Sequence, residues 1–254
     1  MKISIITVVR NNVKTIQQTI ESVLSQEYKN IEYIIIDGDS TDGTLEIIKS
    51  FRGSIDKFIS EKDQGLYDAM NKGINLASGD VVGFLHSDDF YFNSKVLSTV
   101  INTFKEYPKL DACYADLIYI HRTDTSRIIR YWKSSDYSSG IFSKGWSPPH
   151  PTLFIRKKIY QKYGDFDLSY HISSDIELMI RFIEVYKIKV KYVPHLWVKM
   201  RIGGLSSSGI KNILKQNKEV LSILKSYKLA NNIIVFFLYK VISRLKQLLQ
   251  RPIN

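Results

Sequence analysis

The sequence predicts an α/β protein whose sheet is mostly parallel and covered by helices on both faces. Three observations carry that expectation. Short apolar runs of strand type alternate with stretches whose apolar residues recur at helical spacing. The strand runs are continuously apolar instead of alternating, as strands buried on both faces are. Each run also ends in polar residues rich in Asp, at the edge where an open parallel sheet binds its ligands.

The elements follow in order. Ile3 to Val9 reads as a buried strand, and Ile16, Ile20, Val23 and Leu24 then mark one face of a helix. Ile31 to Ile36 is a second strand, followed by DGDSTDGT and a helix carrying Leu45 and Ile48. Lys57 to Ser60 makes a short third strand. Leu66, Met70, Ile74 and Ala77 give the next helical face, and Val81 to Leu85 the fourth strand. Val96, Leu97, Val100, Ile101 and Phe104 form one more helix. Strands separated by helices of this length imply parallel pairing. Beyond Pro108 the pattern changes to shorter strands, Ala112 to Tyr114, Leu117 to Ile120 and Ile128 to Trp132, then a looser loop through Pro149. A strand at Thr152 to Ile155, a helix around Ile159 to Tyr163 and a stronger helix through Ile176, Met179, Ile180 and Ile183 follow. The chain thus divides into a ligand-binding half (1–105), a second half of the same domain (106–209) and a tail (210–254).

Composition narrows the function. With 44% hydrophobic residues in 254, the chain is long enough for one sizeable core. Its one cysteine, Cys113, excludes an internal disulfide framework and a cysteine zinc cluster. The N-terminal apolar run, Ile3 to Val9, is shorter than the core of a secretion signal, so the cytoplasm is the expected compartment. A net charge of +11 suggests nucleic acid, but residues 211–254 carry nine Lys/Arg against the single acid Glu219, leaving the body at only +3. A nearly neutral body argues against nucleic-acid binding.

The residues just past the four apolar runs are Arg10 and Asn11, Asp37 and Asp39, Glu61 to Asp63, and Ser87 to Asp89. Asp88 and Asp89 are the sharpest signal. Adjacent carboxylates at the end of a buried strand repel and lose hydration, and a divalent cation with oxygen ligands compensates them; a turn leading into a helix cap is the plainer reading. Neither G-x-G-x-x-G nor G-x-x-x-x-G-K-[ST] occurs. A carboxylate-lined edge suits a nucleotide bound through base and ribose, with Asp37 as acceptor. His86 fits a strand-end cap and His195 a structural position. His150 lies between Pro149 and Pro151. The stretch Met200 to Ser206, with Arg201, could close over a diphosphate or form a plain turn, and Trp132 and Trp146 could stack on sugar or pack in the core.

In order along the chain, ISIITVVRNN, TIESVLSQEYKNIEYIIIDGDSTDGT, EKDQGLYDAMNKGI, the Ser87-Asp88-Asp89 triplet, HPTLFIRKKIYQKYGDFD and ISSDIEL resemble the family 2 glycosyltransferases, particularly bacterial members that build capsule, exopolysaccharide or O-antigen. The resemblance covers residues 1–206 and implies the GT-A fold: a Rossmann-like nucleotide-binding half fused to an acceptor-binding half. It implies nucleotide contacts at Thr7, Val9, Arg10, Asp37 and Asp39, and at Asp63, Tyr67, Asp68, Asn71, Ser87 and Asp88. It implies metal ligation (Mg²⁺ or Mn²⁺) at Asp89 and a catalytic base at Asp175, where an Asp opening a helix stays ionised near neutral pH; an ordinary helix start, with Asp175 only complementing the dipole, is the plainer reading. His150, Trp146, Arg201 and Ser206 become candidates for the acceptor or the diphosphate. Arg10 stands where relatives often carry an aromatic residue, and Gly38-Asp39 replaces a more frequent Asp-Gly or Asp-Asp order. The QxxRW signature of processive members is absent, so transfer of one sugar is expected.

The activity implied is inverting, metal-dependent transfer from a nucleotide-sugar, UDP-linked, to a lipid-linked saccharide acceptor at the cytoplasmic membrane face. The alternatives are a nucleotidyltransferase of similar fold and a non-catalytic basic nucleic-acid-binding protein. In the tail, Ile234, Leu238, Val241, Leu245 and Leu248 share one helical face, while Lys240, Arg244, Gln247 and Arg251 line another. A basic amphipathic helix lying on an anionic membrane is the expectation there, with docking back onto the body or pairing with another subunit as the alternative.

Overall fold

The computed structural model describes residues 1–203, 209–229 and 232–250. The first half contains β1 (Ile3–Val9), α1 (Ile16–Leu24), β2 (Ile31–Asp37), α2 (Thr44–Ser50), β3 (Lys57–Ser60), α3 (Leu66–Leu76), β4 (Val81–Phe84), β5 (Phe90–Tyr91) and α4 (Val96–Glu106). The second contains β6 (Ala112–Ile120), β7 (Ile128–Trp132), β8 (Phe154–Arg156), α5 (Lys157–Tyr163), α6 (Ser174–Met179) and β9 (Val190–Arg201). Two helices, α7 (Ile210–Ser226) and α8 (Ile233–Leu249), follow.

One sheet runs through both halves in the order β3-β2-β1-β4-β8-β6-β9-β5, with β7 beside β6. The strands β3, β2, β1 and β4 are parallel. Antiparallel β8 joins β4 to β6, and β9 returns parallel to β6. Both faces of the parallel part are buried. Ile6, Val8, Ile34 and Ile36 point into the core beneath α3 and α6, while Ile3, Ile5, Tyr33 and Ile35 point into the core beneath α1 and α4. Continuous apolar strands are the sequence trace of this two-sided burial. The junction at β4–β8 depends on Gly83, because a Cβ there would lie 2.3 Å from the Phe154 ring.

Several elements depart from expectation, among them the two-residue β5, which the sequence does not mark, and the helix after Asp175, which is α-helical only to Met179 and continues as a π-helix over Ile180–Val185. β6 is one strand instead of two, since the polar residue that interrupts its apolar run, Asp116, is buried and satisfied: Tyr131 Oη (2.5 Å), Tyr192 Oη (2.9 Å) and the Ser134 amide (2.7 Å) all donate to it. β9 was not expected. Its pairing with β6 is irregular around Pro194 and His195, and a bulge there accommodates the proline and leaves His195 exposed. The strand expected from Thr152 begins at Phe154, after a 3₁₀ turn at His150–Thr152.

The tail packs on the body. Val220, Ile223 and Leu224 of α7 and Phe236 of α8 are buried in the same core as α6. Glu219, the tail's single acid, accepts hydrogen bonds from the backbone amides of Ile172 (3.0 Å) and Ser173 (2.9 Å), just before α6. In α8, Lys240 and Gln247 are turned toward the body, and Arg244 lies over the Trp132 ring at 5.9 Å. Ile234 (77% exposed), Leu238 (58%) and Leu249 (83%) face outward. Lys240 is half-buried against the body, whereas Arg244 and Lys246 remain exposed. Among the described residues no helix is long and apolar enough to cross a membrane.

Candidate active site

Asp37 closes β2 at the carboxyl edge of the sheet. Its Oδ2 accepts from the Ser60 hydroxyl at the end of β3 (2.7 Å) and from the Ser40 amide (3.1 Å). Its Oδ1 is buried with no hydrogen-bond partner among the described residues. Such an oxygen is costly unless a donor meets it, and a nucleotide N–H or hydroxyl is a donor of the right kind. At Gly38 a Cβ would lie 2.6 Å from Asp63 Oδ2, so glycine lets these two loops touch. Asp39 is exposed with φ of 61°, a left-handed conformation that Asp tolerates. Lys72 of α3 gathers Glu61 (2.8 Å), Asp63 (2.9 Å) and Asp68 (3.3 Å).

The loop after β1 ties this edge to the second acidic loop. The Asn11 amide donates to Ser40 Oγ, and the Asn12 side chain donates to Ser87 Oγ, each at 2.8 Å. Asp89 is fully buried. Its Oδ1 accepts from the Arg201 amide at 3.3 Å, and its Oδ2 has no partner among the described residues. Burial, reinforced by the charge of Asp88, pushes the Asp89 carboxyl well above its ordinary range. The Arg201 guanidinium bonds the Asp88 carbonyl and Gln18 Oε1, which locks the end of β9 onto the acidic pair. Hard carboxylate oxygens, one of them buried without a donor, fit a divalent cation completed by diphosphate oxygens and water. No cluster of three His, Cys, Asp or Glu stands together among the described residues.

Asp175 lies in the first turn of α6. Its Oδ1 accepts from the Ile176 amide (2.9 Å) and lies 3.1 Å from the Tyr67 hydroxyl, which also donates to the Ile172 carbonyl at 2.8 Å. Burial pushes the carboxyl up to about 6, and the Ile176 and Tyr67 hydrogen bonds keep it from rising further. At pH 7 it is still mostly ionised, now within reach of proton exchange. Tyr67, expected among the nucleotide contacts, thus reaches from the first half to the carboxylate of the second. Asp175, His150, Tyr119 and Met200 line a cavity of about 590 Å³ that α8 helps to wall. Burial pushes the His150 imidazole down to about 3, with His86 adding to the effect, so the ring is neutral.

The other expected site residues are placed as follows. The Thr7 side chain is fully buried, bonded to the Leu85 carbonyl (2.8 Å) and Tyr33 Oη (3.1 Å). Val9 is buried at the end of β1. Both amide atoms of Asn71 are taken by the Phe166 backbone, at 2.9 Å each, so it clips the two halves together. Trp146 packs edge-on against Phe142 (5.3 Å) and Tyr114 (6.0 Å) as a core residue, and Trp132 is the tryptophan that lines the Asp175 cavity. Arg10 is exposed beside Gly38. Ser206 lies outside the described residues. The sequence reading missed Tyr119, Glu219 and Arg130; the one acid in a basic tail was the available signal for Glu219.

A Rossmann-like parallel half with an Asp-lined edge, continued by a half that faces it with another carboxylate across a cavity, is the GT-A organisation of nucleotide-sugar-dependent glycosyltransferases. The chain belongs to the family 2 glycosyltransferases: the family described as Glycosyl transferase family 2 matches residues 4–174. A PGL/p-HBAD biosynthesis glycosyltransferase of Mycobacterium bovis is 28% identical over 219 residues, covering 84% of this chain and 82% of the relative. An Escherichia coli protein named UDP-Glc:alpha-D-GlcNAc-diphosphoundecaprenol beta-1,3-glucosyltransferase is 28% identical over 255 residues, 94% of this chain and 92% of the relative. Among solved structures, Staphylococcus aureus TarS 1–349 with UDP-GlcNAc superposes with a TM-score of 0.67 at 16% identity, covering 88% of this chain and 66% of that one. The mannosyltransferase PcManGT of Pyrobaculum calidifontis with GDP-Man and Mn²⁺ gives 0.58 at 13%, covering 99% and 81%. The chain is therefore a glycosyltransferase, and nucleotidyl transfer and nucleic-acid binding give way to sugar transfer.

Proposed function

We propose that this glycosyltransferase moves one sugar from a UDP-sugar to a hydroxyl of a lipid-linked saccharide, in one inverting step assisted by a divalent metal, in the synthesis of a bacterial surface glycan. The observation that carries the reading is Asp175: a carboxylate poised near 6, held by Tyr67 at the junction of the two halves. In this scheme the acceptor oxygen attacks the anomeric carbon and its proton passes to Asp175 Oδ. The bond from the anomeric carbon to the diphosphate oxygen breaks on the opposite face, which inverts the configuration. A positioned carboxylate base is worth roughly 10²–10⁴ in rate. Asp37, with its free buried Oδ1, binds the base or ribose; Asp88 orients the ribose or donor sugar.

Asp89 would hold Mg²⁺ or Mn²⁺, which supplies charge neutralisation to the leaving diphosphate. Support for the metal class comes from the donor set and from the Mn²⁺ in the PcManGT complex. Support for UDP comes from the relatives named or solved with it. The lipid-linked acceptor draws on the name of the Escherichia coli relative and on the outward apolar face of α8, which would rest on the membrane where such an acceptor resides.

The test is a screen of nucleotide sugars for nucleoside diphosphate release, with a synthetic lipid-diphosphate saccharide present or absent. Release stimulated by acceptor, abolished by chelator and restored by Mg²⁺ or Mn²⁺, is expected. Asp89→Ala is expected to lose at least about a hundredfold in rate, the scale of a lost charge-stabilising group. Full turnover in excess chelator, or an active Asp89→Ala enzyme, contradicts the metal role.

A further inference from the structure

The cavity that Asp175 helps to line carries three cations that the proposed chemistry does not use. Arg130 of β7, and Lys240 and Arg244 of α8, line it, and Asp175 is the one acid among its lining residues. None of the three makes an ion pair with a carboxylate among the described residues. Each is instead held against a ring: Arg130 lies 3.7 Å from the Tyr119 centroid, Arg244 5.9 Å from Trp132 and Lys240 5.6 Å from Phe236. Arg130 Nε is buried with no hydrogen-bond partner among the described residues. Lys240 donates to Asn217 Oδ1 at 2.5 Å, and burial lowers its basicity. Burial raises the Tyr119 hydroxyl, the neighbouring Arg244 charge opposes the rise, and Asp89 and Asp175 act on it from within electrostatic reach. Aromatic rings position cations without neutralising them. Three like charges converging on one cavity repel unless an anion joins them.

We propose that Arg130, Lys240 and Arg244 form the binding site for the diphosphate of the acceptor, which is therefore a prenyl-diphosphate-linked saccharide and not a neutral glycolipid. This rests on the proposed function and names its acceptor class. Guanidinium groups bind phosphate oxygens in a fixed fork and an ammonium binds them as a point charge. The rest of the cavity fits the rest of such a molecule. Asp175 is in its lining to meet the sugar hydroxyl. Phe237, Val241 and Leu245 of α8 continue the lining onto the outward apolar face, where the hydrocarbon chain would leave. The placement of α8 has the same explanation: Lys240 and Arg244 serve the diphosphate at the cavity while the exposed Ile234, Leu238 and Leu249 meet lipid.

The test has a binding arm and a turnover arm. With UDP saturating the donor site, quenching of tryptophan fluorescence by farnesyl diphosphate is compared with inorganic pyrophosphate and with farnesol; Trp132 lines the cavity and reports on it. Farnesyl diphosphate is expected to bind at least about tenfold more tightly than either, and Lys240→Gln with Arg244→Gln to weaken it by at least about tenfold, the scale of one lost charge-assisted contact. A separate Arg130→Gln enzyme guards against a double variant that misfolds. In the turnover arm, the kcat/KM ratio between a diphosphate-linked acceptor and the same saccharide on a neutral alkyl chain is expected to fall at least about tenfold in either variant. Folded variants that bind farnesyl diphosphate like the wild type, or a wild type that binds farnesol equally well, overturn the inference. Tight inorganic pyrophosphate binding with no gain from the prenyl chain also overturns it, since the site would then be a plain anion site. Failure of the function itself is distinct: no nucleotide sugar would be turned over, whatever the binding arm showed.

Discussion

At the scale of single residues, the account turns on how burial and hydrogen bonds set Asp175. Its carboxyl moves from an ordinary 3.8 to about 6, chiefly through burial. The transfer rate is therefore expected to rise with pH through an inflection near 6 and to level above it, as the base loses its proton. The Tyr67 hydrogen bond favours the charged form, so Tyr67→Phe is expected to move that inflection upward, measured as the pH dependence of kcat/KM. An inflection that stays put or moves down contradicts the arrangement. A hydrogen bond to a charged group is worth about 1.5–3 kcal/mol, and the share acting on Asp175 is smaller because the same proton also serves the Ile172 carbonyl. The stability consequence has a definite sign. The folded protein binds this proton more tightly than the unfolded chain, so the contribution is present at acid pH and is lost as pH rises from about 4 to about 6. Removing the charge should then leave the protein at least as stable at pH 7.

At the scale of elements, the tail's first helix supports the turn that carries Asp175. Glu219 on α7 caps the amides of Ile172 and Ser173, immediately before the turn that carries Asp175. Glu219→Gln keeps one acceptor oxygen and loses the charge, so a loss of about 1–3 kcal/mol in unfolding free energy is expected, read by denaturant titration. Glu219 also raises the Asp175 carboxyl through its charge. The same substitution should thus move the pH inflection downward, opposite in sign to Tyr67→Phe; shifts in the same direction would contradict the electrostatic picture. The sequence made β1, β2 and β4 legible because strands buried on both faces are continuously apolar, and it left β5 unmarked. It hid β9, where Lys191, Pro194, His195 and Lys199 break that signature, and split β6 at Asp116, whose three donors come from residues distant in sequence. Periodicity found the two sides of α8 but could not say which faces the body, because that depends on a cavity formed by β7, α6 and α7.

At the scale of the whole molecule, the parallel half presents Asp37, Asp88 and Asp89, the mixed half presents Asp175, and α8 stands at the exit with its apolar residues outward. Replacing Ile234, Leu238 and Leu249 with Asn leaves the inward face intact, and is expected to reduce sedimentation with vesicles of mixed neutral and anionic phospholipid at least about tenfold. Vesicle binding like that of the wild type would place the contact elsewhere. The acidic edge was legible from sequence because ligands of open α/β sheets gather past the strand ends. The Tyr67–Asp175 contact and the cationic cavity were not, since both join residues more than a hundred positions apart or bring a tail helix against the body. The most direct measurement is sugar transfer by Asp175→Asn at saturating donor and metal, with NMR of the product's anomeric centre. The account predicts a folded variant that retains donor affinity and loses at least about a hundredfold in rate, and a wild-type product of inverted configuration. Transfer by Asp175→Asn near the wild-type rate, or a product that retains the donor's configuration, would contradict it.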